Sequence, residues 1–319
     1  MTEVLYTLDA AERERVAALR AEGRFFWLDV SLSETSREDL VAALGLHKRA
    51  LGALRRTGDG YASRAFHADG ESVAFALRCY VELEPEQEQA GYRLRPMEVQ
   101  VLVTNDYLLT LHDERVSLPA VLAPDLPPGR SKGYVVYSVL DAMLATTSDA
   151  LNEVEVRLET LVAAWTEGDG GGVPRATLRH AGARLATMRR WVRNEQAIFE
   201  RVGLETEALR DFGTTEEPYF DRLDDQVDRL LTSIDAAANA MGMVLDLQLN
   251  ERAYVLSIVA TIFVPLTFVT GFFGMNFGWM VDQVDTPVAF WLLGFAIPIA
   301  TAALLWRLLV RPFLIGDQR

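Results

Sequence analysis

Hydrophobic positions change their spacing twice along this chain, and each change predicts a different kind of structure. In the first third they gather in short runs: FFWLDV at Phe25 to Val30, SVAFALRCYVEL from Ser72, MEVQVLVT from Met97 and YLLTLHDE from Tyr107. Short apolar, β-branched runs bounded by turn residues predict strands, and Asn105-Asp106 between the last two predicts a hairpin turn. Ser36 opens a helix, with Asp39 near its N-terminal end. Residues 1 to about 135 therefore read as mixed α and β.

From Tyr134 the spacing becomes helical. One helix is predicted from about Ser138 to Trp165, stopped by Gly168 and Gly170-Gly171-Gly172. Pro174 begins a second, rich in arginine and reaching about Val202, and loop residues follow at Gly213 and Pro218. A third helix starts near Tyr219. Its apolar residues recur at Phe220, Leu223, Val227, Leu230, Ile234, Ala237, Met241 and Val244, alternating steps of three and four. No proline separates this stripe from the apolar run that follows, so a continuous helix to Phe273 would hold 55 residues and measure about 80 Å. A helix of that length needs neighbours. The two preceding helices supply some, and further copies of the chain would supply the rest.

The last part of the chain is different again. Tyr254 to Phe273 carries no charge, and neither does Val288 to Trp306. Each run spans about 30 Å as a helix, the hydrocarbon thickness of a bilayer. The fourteen residues between them, GMNFGWMVDQVDTP, turn the chain round. A membrane hairpin of two helices is expected.

Charge narrows the function. The net charge of -14 belongs to residues 1 to 252, which hold 42 acidic against 28 basic side chains. Such a surface repels nucleic acid, which excludes DNA and RNA as expected partners. Cys79 is the only cysteine and lies in the apolar run AFALRCYVEL, so a buried thiol in a reducing compartment is expected. The N-terminal MTEVLYTLDAAERERV has no uninterrupted apolar core, which argues against a signal peptide. Arg252 precedes the first span and Arg307 and Arg311 follow the second, while the loop between carries only Asp282 and Asp285. The positive-inside rule then places both termini in the cytoplasm and the loop outside. Trp279, Trp291 and Trp306 suit the membrane interfaces.

Enzymatic chemistry finds little support. His47, His67, His112 and His180 are scattered without zinc-ligand spacing, there is no GxxxxGK[ST] loop, and Gly168 to Gly172 lacks a preceding strand. The first span is more informative. Steps of three and four from Asn250 give Ala253, Leu256 or Ser257, Ala260, Val264, Thr267 and Gly271 on one face. Ile258, Ile262, Phe263, Phe268 and Phe272 fall elsewhere and suit lipid or the second span. A stripe of small and hydroxylic residues serves either an ordinary helix contact or a pore wall.

The run YVLSIVATIFVPLTFVTGFFGMNF decides between them by resemblance. It places Gly274-Met275-Asn276 at the end of the first span, after Pro265-Leu266-Thr267-Phe268 and Thr270-Gly271. This resembles the CorA family of divalent-cation transporters, whose signature is Gly-Met-Asn just beyond the first of two C-terminal transmembrane helices. The likeness is sharp from Asn250 to Arg311 and one of layout upstream.

The resemblance implies an α+β cytoplasmic domain over residues 1–135, then a helical hairpin and long stalk helix over 136–252. A transmembrane hairpin over 253–319 follows, with spans at 254–273 and 288–306 and a cytoplasmic tail. It implies a multi-pass plasma-membrane protein, and a homopentamer with the first spans around the axis and the second against lipid. Asn276 would be the selectivity residue, its carbonyl ring holding the water shell of Mg²⁺, an ion that dehydrates reluctantly. Gly274 would permit the turn and Met275 would pack behind it. The bland alternative is a glycine helix cap followed by a turn asparagine. Asn250 and Thr267 would form further polar rings, Leu256 and Val264 apolar constrictions that gate by dewetting. Asp282 and Asp285 would gather cations, or serve as ordinary loop charges.

No cofactor is implied beyond the transported cation: Mg²⁺ first, with Co²⁺ and Ni²⁺, or Zn²⁺ with proton coupling as the alternative. The rival from another class is a membrane-anchored sensor or scaffold, which would need no asparagine at the mouth. The chain also departs from the family pattern. Phe273 replaces the usual tyrosine, and FDRLDDQ puts Arg222 near the usual stalk aspartate with Asp221, Asp224 and Asp225 beside it. A regulatory cation site is therefore assigned to none of them. Tyr254 and Ser257 lean towards the zinc branch of the family, whereas the glycine-rich loop of that branch is absent.

Overall fold

The computed structural model describes residues 3–5, 10–33, 35–36, 40, 43–45, 66–82, 91–113, 116–122, 124, 126, 129–167, 174–209, 212, 217–275, 278 and 286–307. They form two compact units, Met1–Met241 and Gly242–Arg319.

The first unit is built on a six-stranded sheet ordered β1-β2-β6-β5-β4-β3. Its strands are β1 (Glu3–Leu5), β2 (Phe26–Ser31), β3 (His67–Ala68), β4 (Ser72–Glu82), β5 (Leu94–Thr104) and β6 (Tyr107–His112). β1, β2 and β6 run parallel, and the remaining pairs are antiparallel. Helix α1 (Ala10–Ala21) makes the crossover between β1 and β2. The expected hairpin stands at Asn105-Asp106, where the Thr104 hydroxyl oxygen accepts the Tyr107 amide at 3.1 Å.

Period-two alternation divides each strand between two faces. Phe26, Leu28, Val30, Leu109 and Leu111 join Val16 and Leu19 of α1 in one buried cluster. Trp27, Asp29, Leu108, Thr110 and His112 lie at the alternate positions and are equally buried. A sheet covered on both sides explains why β6 has no exposed position at all.

Helices α2 (Leu118–Leu122), α3 (Lys132–Glu167) and α4 (Arg175–Glu207) follow. α3 begins six residues before Ser138, and α4 runs past Val202 to Glu207, with Pro174 at its N-cap as expected. α3 and α4 also finish the sheet. β3 pairs with β4 only at Ala74 and Val73, so the amides of Arg78 and Tyr80 lie on an open edge. The Glu195 carboxylate of α4 accepts the Arg78 amide and the Thr146 hydroxyl of α3 accepts the Tyr80 amide, each at 2.8 Å. Side chains from two helices thus satisfy an edge that would otherwise recruit another strand.

Helix α5 runs unbroken from Glu217 to Phe273, 57 residues. Pro218, expected in a loop, lies instead in its first turn, where a missing amide costs nothing. Phe220, Leu223, Val227, Leu230, Ile234 and Ala237 are buried. Within the chain these six of the eight stripe positions are already covered. α4 lies close alongside: a Cβ at Gly203 would sit 3.0 Å from Cβ of Phe220. Arg189 meets Asp235 at 2.8 Å, and Gln196 donates to Asp228 at 2.9 Å.

In the second unit α6 covers Pro287–Leu305. The Thr286 hydroxyl caps it by accepting the Ala289 amide at 3.2 Å. Its middle, Leu292–Ala296, is a π turn just before Pro298. Proline has no amide for the carbonyl one turn earlier, and the wider turn takes up the mismatch. Helices α5 and α6 are both long and apolar enough to cross a membrane.

Candidate ion-conducting face

The membrane half of α5 has two contrasting sides. Ile258, Ile262, Pro265, Leu266 and Val269 are half-buried, and on α6 so are Leu293, Thr301, Ala302 and Leu305 around buried Pro298. These are the sides on which a two-helix hairpin packs. Asn250, Ala253, Ser257, Ala260, Thr267 and Gly271 are all exposed, with Leu256 at 72% and Val264 at 67%. At 3.6 residues per turn this second line falls opposite the half-buried one. The sequence-derived face therefore lies at the centre of the broad surface that a single chain leaves uncovered. Phe263 and Phe268, at 59% and 72%, are exposed on the flanks.

Hydroxyl geometry fits a cation carried with its water. Thr267 Oγ1 donates to the Phe263 carbonyl at 2.8 Å, and Thr261 and Thr270 likewise donate to the Ser257 and Leu266 carbonyls. Each proton is committed along the helix, so the oxygen offers lone pairs outward. A hydrated cation points its water hydrogens outward and needs acceptors of this kind.

The end of the helix is closed by its glycine. The Gly274 amide donates to Thr270 O at 3.0 Å, and the Met275 amide to Phe272 O at 3.3 Å. Gly274 is not among the described glycines with positive φ. What disfavours a side chain is proximity, since a Cβ there would lie 3.2 Å from the Thr270 carbonyl oxygen and the helix end would have to give by a few tenths of an ångström. Met275 is 39% exposed. Asn276, Trp279, Asp282, Asp285 and Arg311 lie outside the described residues, as do Asp39, Gly168 to Gly172 and Gly213.

Among the described residues no group of three His, Cys, Asp or Glu side chains is placed to hold a metal ion. His112 is part of a buried structural network instead. Its Nε2 is 3.3 Å from Asp29 Oδ1, which accepts the Thr110 hydroxyl at 2.6 Å, while Asp29 Oδ2 accepts the Leu118 amide at 3.0 Å. Trp27 Nε1 donates to Thr110 at 3.0 Å, completing a tie between β2, β6 and α2. Two carboxyls are displaced furthest from their ordinary range among the described residues. Burial pushes Glu195 up to about 8, against the opposing bond from the Arg78 amide. Burial, helped by the charges of Glu200, Asp221, Asp228 and Asp225, pushes Asp224 up to about 6. Glu195 escapes a sequence reading, being one of four glutamates in α4 with nothing local to set it apart.

The family model described as "CorA-like Mg2+ transporter protein" matches residues 22–311. The chain belongs to this family. Over 134 residues it is 31% identical to the zinc transport protein ZntB of Cronobacter sakazakii, a match covering 39% of this chain and 38% of that protein. The cobalt/magnesium transport protein CorA of Methanocaldococcus jannaschii is 24% identical over 205 residues, 60% of this chain and 64% of the relative. Both matches thus span less than two thirds of the relative's own length. The solved CorA magnesium transporter of the latter organism superposes with a TM-score of 0.58 at 16% identity, covering 89% of this chain and 90% of that one. The fold is that of CorA proteins: a sheet domain, a long helix and a second apolar helix near the C-terminus.

Proposed function

We propose that the chain carries a divalent metal cation across a membrane, as a homo-oligomeric pore walled by α5. The observation that carries this is the line Asn250, Ala253, Leu256, Ala260, Val264, Thr267 and Gly271, exposed and opposite the half-buried side of the same helix. Two helices cannot enclose a wet path alone, and a ring of copies can. Five copies are the expected number, with Gly274-Met275-Asn276 as the collar at the outer mouth. Asn276 holds the ion through its water shell, and Leu256 and Val264 form the dewetting constrictions. Asp282 and Asp285 raise the local cation concentration.

In this reading residues 1–135 and 136–252 are cytoplasmic and residues 253–319 form the hairpin in the plasma membrane. Mg²⁺, with Co²⁺ and Ni²⁺, is the first cargo. Zn²⁺ is the second, favoured by the ZntB relatives and by Tyr254 and Ser257. A tethered sensor or scaffold would leave the exposed line without a purpose.

Uptake into proteoliposomes, run for Mg²⁺, Co²⁺, Ni²⁺ and Zn²⁺ with and without a pH gradient, tests this. Asn276→Ala should abolish selectivity or cut flux at least about tenfold, since it removes the amide ring proposed at the mouth. Unchanged uptake and selectivity would remove the collar from the account.

A further inference from the structure

One face of the first unit has no partner among the described residues. On α4 the exposed positions Arg175, Arg179, Ala183, Ala186, Arg190 and Arg193 follow one another in steps of three and four, a single stripe along the helix. The four arginines make no ion pair among the described residues, whereas Arg184 and Arg189 of the same helix do. In a chain of net charge -14, a basic ridge left unneutralised is out of keeping with the rest of the surface.

Its chemical complement stands elsewhere on the same unit. α3 and α5 border a groove of about 550 Å³ lined by Asp141, Leu144, Ser148, Asp149 and Glu155, with Arg229 as the cation in its lining. None of the three carboxylates has an ion pair among the described residues. Spacing matches as well as sign. At helical rise, the Arg175/Arg179 pair lies about 22 Å from the Arg190/Arg193 pair, and Asp141 lies about 21 Å from Glu155. Between the outer charges the ridge carries Ala183 and Ala186, and the groove presents Ala145 and Ser148 beside Leu144 and its third carboxylate, Asp149.

We infer that the α4 ridge of one copy seats in the α3/α5 groove of the next. The two surfaces are different parts of one chain, so the contact is head-to-tail and closes into a ring when its rotation allows. The inference rests on the homo-oligomeric reading above and adds which surfaces meet. Charge complementarity of this kind sets partner choice and register more than raw affinity.

The test uses the full chain in lipid nanodiscs. Chains carrying both Ala186→Cys and Ser148→Cys should give, on mild oxidation, a ladder of cross-linked species up to the full ring. A mixture of chains carrying one change each should stop at dimers. Cys79 is fully buried and contributes nothing to the ladder. Arg190→Glu with Arg193→Glu should raise the concentration for half-assembly at least about tenfold, and adding Asp141→Arg with Glu155→Arg should recover most of it. A wild-type ring by native mass spectrometry that shows no ladder and ignores the charge reversals would overturn the interface while leaving the pore standing. A wild-type monomer would overturn the pore reading itself. Cross-linking by Ala186→Cys alone would mean that like surfaces meet, and would also refute the inference.

Discussion

Glu195 shows what one residue does for this fold. Its carboxylate closes the β4 edge by accepting the Arg78 amide, yet it is buried at 4% exposure beside Cys79 and Glu98. With a folded-state value of about 8 against an ordinary 4.5, the native protein holds a proton that the unfolded chain has released. Stability is therefore full below about 4.5, falls as pH rises through that window, and is flat above about 8. The loss across the window is a few kcal/mol. Glu195→Gln keeps an oxygen for the Arg78 amide and cannot ionise, so its melting temperature should exceed the parent's at pH 9 and change less between pH 5 and 9. Equal slopes for the two proteins would show that the carboxyl is charged throughout. Nothing in the sequence around Glu195 announces this role, because the partner amide is 117 residues away.

Among the elements, the helices were read more completely than the sheet, and the reason is range. The α5 stripe is a local pattern, and Phe220 to Ala237 lie where a period of three and four puts them. The Asn105-Asp106 hairpin is local too. β1, α1, β3 and α2 were missed: three-residue β1 is a strand only because β2 lies parallel to it, and two-residue β3 only because Ala74 and Val73 pair with it. The π turn in α6 was missed although Pro298, its cause, was in view. Close helix packing also escaped notice. Gly203→Val should push Phe220 aside and cost about 1–3 kcal/mol, read as a drop in melting temperature with the α-helical signal retained; a neutral result would mean that α4 and α5 stand further apart. In the membrane half, Val264→Ser should raise cation flux by wetting a constriction. Flux equal to the parent's would remove Val264 from the gate.

At the scale of the whole molecule, a single chain covers only part of its own apolar surface. Within the first unit the three long helices and the sheet bury their apolar faces against each other. In the second unit Met243, Leu247, Leu256 and Val264 stay exposed beside small and hydroxylic neighbours. Lipid would accept the large residues and gain nothing from Asn250, Ser257 or Thr267, whereas copies of the chain gathered round an axis would use both. The two apolar helices were readable from Tyr254 to Trp306, and the family from Gly274-Met275-Asn276, because apolar length and a signature are properties of a continuous stretch. The surfaces proposed to join copies were not, since the groove gathers α3 and α5 residues that are far apart in sequence.

Cysteine accessibility during metal uptake tests the face of α5 most directly. Ala260→Cys and Ile262→Cys differ by two positions and lie on opposite sides of the helix, one exposed and one half-buried. Cys79 provides a silent background, its thiol buried and pushed up to about 12. A water-soluble thiol reagent should block flux through Ala260→Cys proteoliposomes and leave Ile262→Cys proteoliposomes conducting. Block at Ile262→Cys with Ala260→Cys spared, or block at neither, would contradict a path walled by this face.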